Sequence, residues 1–290
     1  VKTFAADGTL AGEGLTGTFR VVRDGTNARE DDVLGPRHET SLKIGDRFYV
    51  RNSNGNVREL RGYLRRRMRT EMLIASGEFV KHPELARFTG WGDGAGTKTW
   101  RLEVNARDGE PETLWIAPSS GLPMRLEYLD GDGPSYVDYS DWRDVRGHRI
   151  AFRNTLSDGD HRFDTVQQMT AVRLDEPVES ASFMPLESRA LASDRVHVVP
   201  LVERDGHVGV TVRVANREWF FLLDTGAQSI LVDSAILKAA GIDGQGAMEV
   251  RGAARSGGLS AAVLPRLEID GATMENVVVS SLDIGRSLGG

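Results

Sequence analysis

The chain has 290 residues, 36 Lys and Arg against 42 Asp and Glu, and a formal net charge of -6. That length suits two domains, and an acidic chain lacks the positive field of a nucleic-acid binder, so no nucleic-acid partner is expected. There is no cysteine, and the six histidines are scattered; this removes disulfides and thiol chemistry and argues against a zinc site, so no metal and no cofactor is expected.

Taken in order, residues 1–186 read as a β-rich domain. Strands are expected over Gly14–Val22, Arg37–Ile44 and Asp46–Val50. Asp-Gly or Asn-Gly pairs punctuate the runs at Asp7-Gly8, Asp24-Gly25, Asn54-Gly55, Asp108-Gly109, Asp132-Gly133 and Asp158-Gly159, the hairpin signature. One helix is expected to start at Asn56 as cap, with Glu59 as its capping-box partner and Val57, Leu60, Leu64 and Met68 as an apolar stripe. Its other face carries Arg58, Arg61, Arg65, Arg66, Arg67 and Arg69, either a solvated face or a contact for an anionic surface such as lipid headgroups. A second helix is expected over Arg69–Phe79.

Further strands are expected over Thr97–Val104, Glu112–Ala117, Ser119–Tyr128, Tyr136–Val145, Gly147–Arg153 and His161–Leu174. The phrases IAPSSGLPMRLEY, YSDWRDVRGHRIAFR and VQQMTAVRLDEPVESASFMPL within them resemble the periplasmic lipoprotein-sorting carrier superfamily. That resemblance implies an open antiparallel half-barrel with one or two helices, whose concave face either holds lipid or lipoprotein or packs on its own helices as a spacer.

Residues 187–195 are polar, lack alternation and are expected to link this domain to a second at 196–290. There the strands His197–Glu203 and Val208–Val214 flank a turn at Asp205-Gly206, and Asn216-Arg217 turns into Trp219–Leu223. This five-residue apolar run reads as a strand buried on both faces. It delivers Asp224 into Thr225-Gly226-Ala227, where Gly226 permits a positive φ or a close approach of another backbone. A second apolar run, Ser229–Val232, precedes a helix over Ser234–Ala240, with Asp233 as N-cap, Gly241 past its end and Ile242 packing back. Strands then follow over Leu264–Ile269 and Asn276–Leu282, joined across Asp270-Gly271.

Apolar residues before Asp-Thr-Gly, with Ala after it, resemble the active-site element of retropepsin-like aspartyl proteases. The resemblance implies an acid-protease β-barrel in which Asp224 is catalytic and Thr225, Gly226 and Ala227 form the active-site loop. It also implies a substrate-covering flap at the glycine-rich stretch Glu249–Ser260, with Gly252, Arg255, Gly257 and Gly258 as its residues. The chain has one Asp-Thr-Gly, so a catalytic pair requires a second copy and a homodimer is expected. The family's second glycine motif is not reached before Gly290, so the protease domain is expected to be incomplete.

Two functions are consistent with these residues. One is a bacterial envelope aspartic endopeptidase acting on peptide or protein substrates. The other is a non-catalytic envelope binding protein, its half-barrel holding lipid or lipoprotein and its protease part vestigial. Either implies a periplasmic or secreted protein whose signal peptide, if it had one, precedes Val1.

Overall fold

The computed structural model describes residues 1–94, 97–130, 133–189, 196–224, 227, 229–251 and 256–283. The chain divides into two compact units. The first takes Val1–Leu34, Glu39–Arg51 and Val57–Leu186; the second takes Gly35–His38, Asn52–Asn56 and Glu187–Gly290.

The first unit begins with strands β1 (Phe4–Gly12), β2 (Leu15–Arg23), β3 (Ala28–Leu34), β4 (Arg37–Ile44), β5 (Arg47–Arg51) and β6 (Val57–Glu59). Helix α1 (Gly62–Ser76) follows, then β7 (Ala86–Gly94), β8 (Thr97–Val104), β9 (Glu112–Ile116), β10 (Pro123–Asp130), β11 (Gly133–Val145), β12 (His148–Ser157) and β13 (Thr165–Leu174). The thirteen strands make one open sheet in the order β6-β5-β4-β3-β2-β1-β13-β12-β11-β10-β9-β8-β7. The chain thus steps outward from β1 to one edge, restarts at the far edge, and steps inward to close on β1. Residues between β6 and β7 must cross the sheet, and α1, at about 1.5 Å per residue, supplies about 22 Å of that path.

Side-chain alternation divides the sheet into two faces. On the helix side, Leu73 and Ile74 of α1 and Phe79 pack on buried Val104, Leu114 and Leu126. Farther along, Leu10, Phe19 and Val21 form a second cluster with Phe4, Leu34 and Met169. On the opposite face Val22 and Leu42 meet Phe183, with Val178 and Leu186 beside them, so the segment after β13 returns to cover that side.

Four expectations are corrected here. Val57–Glu59 is a strand rather than the first helical turn, because it pairs with β5 and Glu59 takes a bidentate grip from Arg47 at 3.0 Å on both nitrogens. The helix starts at Gly62, with no side-chain cap from Arg61, and runs unbroken to Ser76, so the second expected helix is its own C-terminal half followed by a 3-10 turn at Glu78–Lys81. Its arginines do not form one solvated face: Arg67 lies 4.7 Å over the Tyr128 ring and 3.4 Å from Asp130, and Arg69 reaches Asp46 and Asp108. Asp7-Gly8 is not a turn but lies inside β1 at a bulge, where a Cβ on Gly8 would overlap the Phe19 ring and the Gln168 carbonyl.

The second unit holds β14 (Val202–Arg204), β15 (His207–Val214), β16 (Arg217–Leu222), β17 (Leu231–Asp233), helix α2 (Ser234–Ala240), β18 (Gln245–Arg251), β19 (Ser256–Ile269) and β20 (Ala272–Leu282). Its sheet runs β14-β15-β19-β20-β17, with β16 on β15 and β18 on β19. Of the expected His197–Glu203 strand only Val202 and Glu203 pair, and the pairing runs on to Arg204. The turns at Asp205-Gly206 and Asp270-Gly271 have φ of 50° and 77° and of 46° and 78°, the left-handed pair a two-residue hairpin needs. One core unites the unit: Val212, Val214, Val232, Ile236, Leu237, Ala262, Leu264, Leu267, Val277 and Val279. Helix α2 has the expected ends: Asp233 accepts from the Ala235 amide at 2.7 Å, Gly241 is left-handed at φ 68°, and the Ile242 amide returns to the Leu237 carbonyl at 3.0 Å.

The fold class is therefore mainly β, an open antiparallel sheet unit followed by a second β unit, with two α-helices among the described residues.

Candidate active site

The acid-bearing strand is built by a hairpin. β15 and β16 pair from Val214↔Arg217 to Gly209↔Leu222, across Ala215 and Asn216 at φ 51° and 59°. Alternation sends Trp219 and Phe221 into the core, and the Trp219 indole N–H donates to the Val214 carbonyl at 3.4 Å. Phe220 takes the other face, with the Arg204 guanidinium 5.2 Å from its ring centre. Gly209 is required by close approach, since a Cβ there would overlap the Phe221 carbonyl and the Phe220 ring.

This strand is not buried on both faces as its composition suggests. Leu222 is 54% and Leu223 50% exposed, and among the described residues β16 pairs only with β15. The ladder continues one step past β16, where the Leu223 amide donates to the Val208 carbonyl at 3.0 Å. Asp224 follows and faces solvent. The Ala227 amide donates back to the Asp224 carbonyl at 3.3 Å, closing a four-residue turn. Thr225 and Gly226 lie outside the described residues.

The far end of the loop is also pinned. The Ser280 amide donates to the Ile230 carbonyl at 2.9 Å, and β17 then runs parallel to β20 from Leu231↔Ser280 to Asp233↔Leu282. Ile230 packs on the core, and Leu231, 46% exposed, joins Leu222 and Leu223 as apolar surface on the two strands flanking the loop. The Ile230–Ser280 link was not foreseen from the sequence, where nothing marks two residues fifty positions apart as partners.

The stretch expected to carry a flap forms an antiparallel hairpin of β18 and β19. Val250 pairs with Gly257, Glu249 with Gly258, and Arg251 with Ser256. Gly252 and Arg255 lie outside the described residues, in the connection between the two strands. Among the described residues, no group of three His, Asp or Glu side chains could hold a metal ion.

Residues 210–290 match the family model described as aspartyl protease. No curated protein matches the chain significantly. Among solved structures, the chain is similar to an outer membrane lipoprotein-sorting protein domain from Vibrio parahaemolyticus, at 10% identity and TM-score 0.41, over 63% of this chain and 89% of that one. It is also similar to a LolA superfamily protein from Nitrosomonas europaea, at 15% identity and TM-score 0.44, over 63% and 90%. A DUF1329 family protein from Desulfovibrio piger matches at 15% identity and TM-score 0.43, over 63% and 89%.

Proposed function

We propose that this protein is an aspartic endopeptidase of the bacterial cell envelope, active as a homodimer to which each copy contributes one Asp224. The observation that carries the reading is a solvent-facing carboxylate on a loop whose two ends are bonded to β15 and β20, inside the segment that matches the aspartyl protease family. The exposed Leu222, Leu223 and Leu231 suit a surface that a second copy covers.

Two such carboxyls brought together share one proton, since like charges at close range do not both ionise. The ionised Asp224 takes a proton from a water, and that water's oxygen attacks the peptide carbonyl. The protonated Asp224 of the partner copy gives its proton to the carbonyl oxygen; the tetrahedral intermediate then collapses as the first Asp224 passes its proton to the leaving nitrogen and the partner copy's Asp224 takes one back from a hydroxyl, releasing the amine and the carboxylic acid. Thr225 and Gly226 then belong to the contact between the two loops, with Ala227 closing each turn. The β18–β19 hairpin, which pairs Gly257 and Gly258, together with Gly252 and Arg255 of the stretch that connects its strands, is the element to close over bound substrate.

Mixing tests the shared site. If both carboxyls are needed, an equal mixture of wild-type and Asp224→Asn chains, allowed to exchange, retains about a quarter of the wild-type specific activity, the fraction of wild-type pairs in a symmetric dimer. Retention of half the activity contradicts a shared site.

A second reading, a binding protein without catalysis, draws on the first unit. Phe88, Trp91 and Trp100 are 57%, 54% and 37% exposed on β7 and β8 at the sheet edge, an apolar patch suited to lipid or lipoprotein. Saturable uptake of a fluorescent fatty acid, abolished by Trp91→Ala, separates this reading from that of a spacer.

A further inference from the structure

A set of buried carboxyls beneath α1 has no part in the proposed hydrolysis. Glu112, the first residue of β9, is 2% exposed, and neither of its carboxyl oxygens has a hydrogen-bond partner. Glu71 and Arg67 of α1 face it, and Tyr63 of the same helix lies within its field. From the sheet, Tyr128 and Asp130 of β10 and Tyr139 of β11 join the set. Glu71 in turn faces Arg23 of β2 and Glu30 of β3, and Glu30 is held by the Gln167 amide of β13 at 3.0 Å. Asp32, next along that face of β3, faces Glu30, and Glu110, just before β9, is paired with Arg66 at 2.5 Å.

The nearby cations are turned elsewhere, although Arg23 Nε and Arg67 Nε and Nη1 make no hydrogen bond. Arg67 stacks on Tyr128 and reaches Asp130, and Arg23 donates to the Ala75 carbonyl at the end of α1 at 3.2 Å. Setting aside the Glu110–Arg66 pair, five carboxyls, Glu112, Glu71, Glu30, Asp32 and the exposed Asp130, face two guanidinium groups on the side where α1 packs, and Glu112 accepts no hydrogen bond.

We propose that a proton held at the buried Glu112 locks α1 onto the sheet, so that acidification tightens the helix and rising pH frees it. Burial pushes the Glu112 carboxyl up to about 8, with the charge of Glu71 adding to it and Arg67 opposing; burial raises Glu71 as well. In an opened helix Glu112 returns to the ordinary value of 4.5. The lock is at full strength below that value, weakens as pH rises toward about 8, and changes no further above it. Opening uncovers the Val104, Leu114 and Leu126 cluster that Leu73 and Ile74 now cover.

Hydrogen exchange followed by mass spectrometry on the intact chain tests this, with rates corrected for the intrinsic pH dependence of amide exchange. Between pH 5 and 8, protection of the Gly62–Ser76 amides should fall by up to about tenfold per pH unit. Glu112→Gln should make that slope in α1 clearly shallower, leaving what Glu71 contributes, and Asp32→Asn should leave it in place. A flat wild-type profile, a wild-type slope in Glu112→Gln, or an equal slope in every strand of the sheet overturns the lock. If Glu112→Gln does not fold, Glu71→Gln decides: loss of its charge should move the upper end of the slope to lower pH, and an unmoved end overturns the pairing.

Discussion

The Ala227 amide donates to the Asp224 carbonyl at 3.3 Å, so the carboxylate sits at the first corner of a closed turn. Leu223 and Ile230 tie the two ends of this loop to β15 and β20 through main-chain bonds. Side-chain changes at Asp224 should therefore alter chemistry without unfolding the second unit.

Removing core volume should unfold that unit instead. Leu264 is fully buried in the single cluster that joins β15, β17, α2, β19 and β20. Leu264→Ala should cost about 2–5 kcal/mol, through lost burial and the cavity left behind. Denaturant unfolding followed by fluorescence, in a chain whose other four tryptophans are replaced by Phe so that Trp219 alone reports, reads this directly.

The cap of α2 makes a smaller and separable contribution. Asp233→Ala removes the carboxylate that accepts from the Ala235 amide at 2.7 Å and should cost about 0.5–2 kcal/mol. Asp233→Asn or Asp233→Ser should recover most of the loss, because either side chain still accepts that bond. Thermal unfolding of the four proteins checks the order.

Asp32 carries a pH signature. Burial, then the charges of Glu30, Glu39 and Asp31, push its carboxyl from 3.8 to about 8. A carboxyl raised on folding favours the folded state fully only below its unfolded value, and that contribution is lost as pH climbs to the folded one. Asp32→Asn should thus raise Tm relative to wild type at pH 8 and leave the difference small at pH 4. Equal shifts at both pH values would show that the change acts through packing rather than charge.

Gly8 is a steric requirement of the β1–β13 bulge. Gly8→Ala places a methyl against the Phe19 ring and the Gln168 carbonyl and should destabilise the first unit. Pairing it with Phe19→Leu, which opens space on one side, should recover part of the loss, a coupling that a double-mutant cycle measures.

How much of this was legible in the sequence depended on how local each signal was. The caps of α2, the Asp205-Gly206 and Asp270-Gly271 turns and the alternating strands β4 and β8 are fixed by neighbouring residues and were read with their bounds or nearly so. Strand β3, Ala28–Leu34, was missed because its Glu30, Asp31 and Asp32 place acids on both faces, and only the folded sheet supplies Gln167, Arg29 and Thr40 to hold two of them. The start of α1 was misread because a valid capping pattern at Asn56 lost to pairing with β5, a contact local propensity does not register. At the candidate site, Asp224 stood out through the apolar run before it. The exposure of Leu222 and Leu223 did not, since a strand's composition does not reveal what covers each of its faces.

The central claim rests on the Asp224 carboxylate as a proton-exchanging group. The most direct measurement is the rate at which wild type and Asp224→Asn, matched for concentration and folded by circular dichroism, cleave an unfolded protein substrate from acidic to neutral pH. Loss of general acid–base catalysis predicts a fall of at least about a hundredfold in the variant at every pH. A variant that cleaves at the wild-type rate contradicts the assignment of this protein as an aspartic endopeptidase.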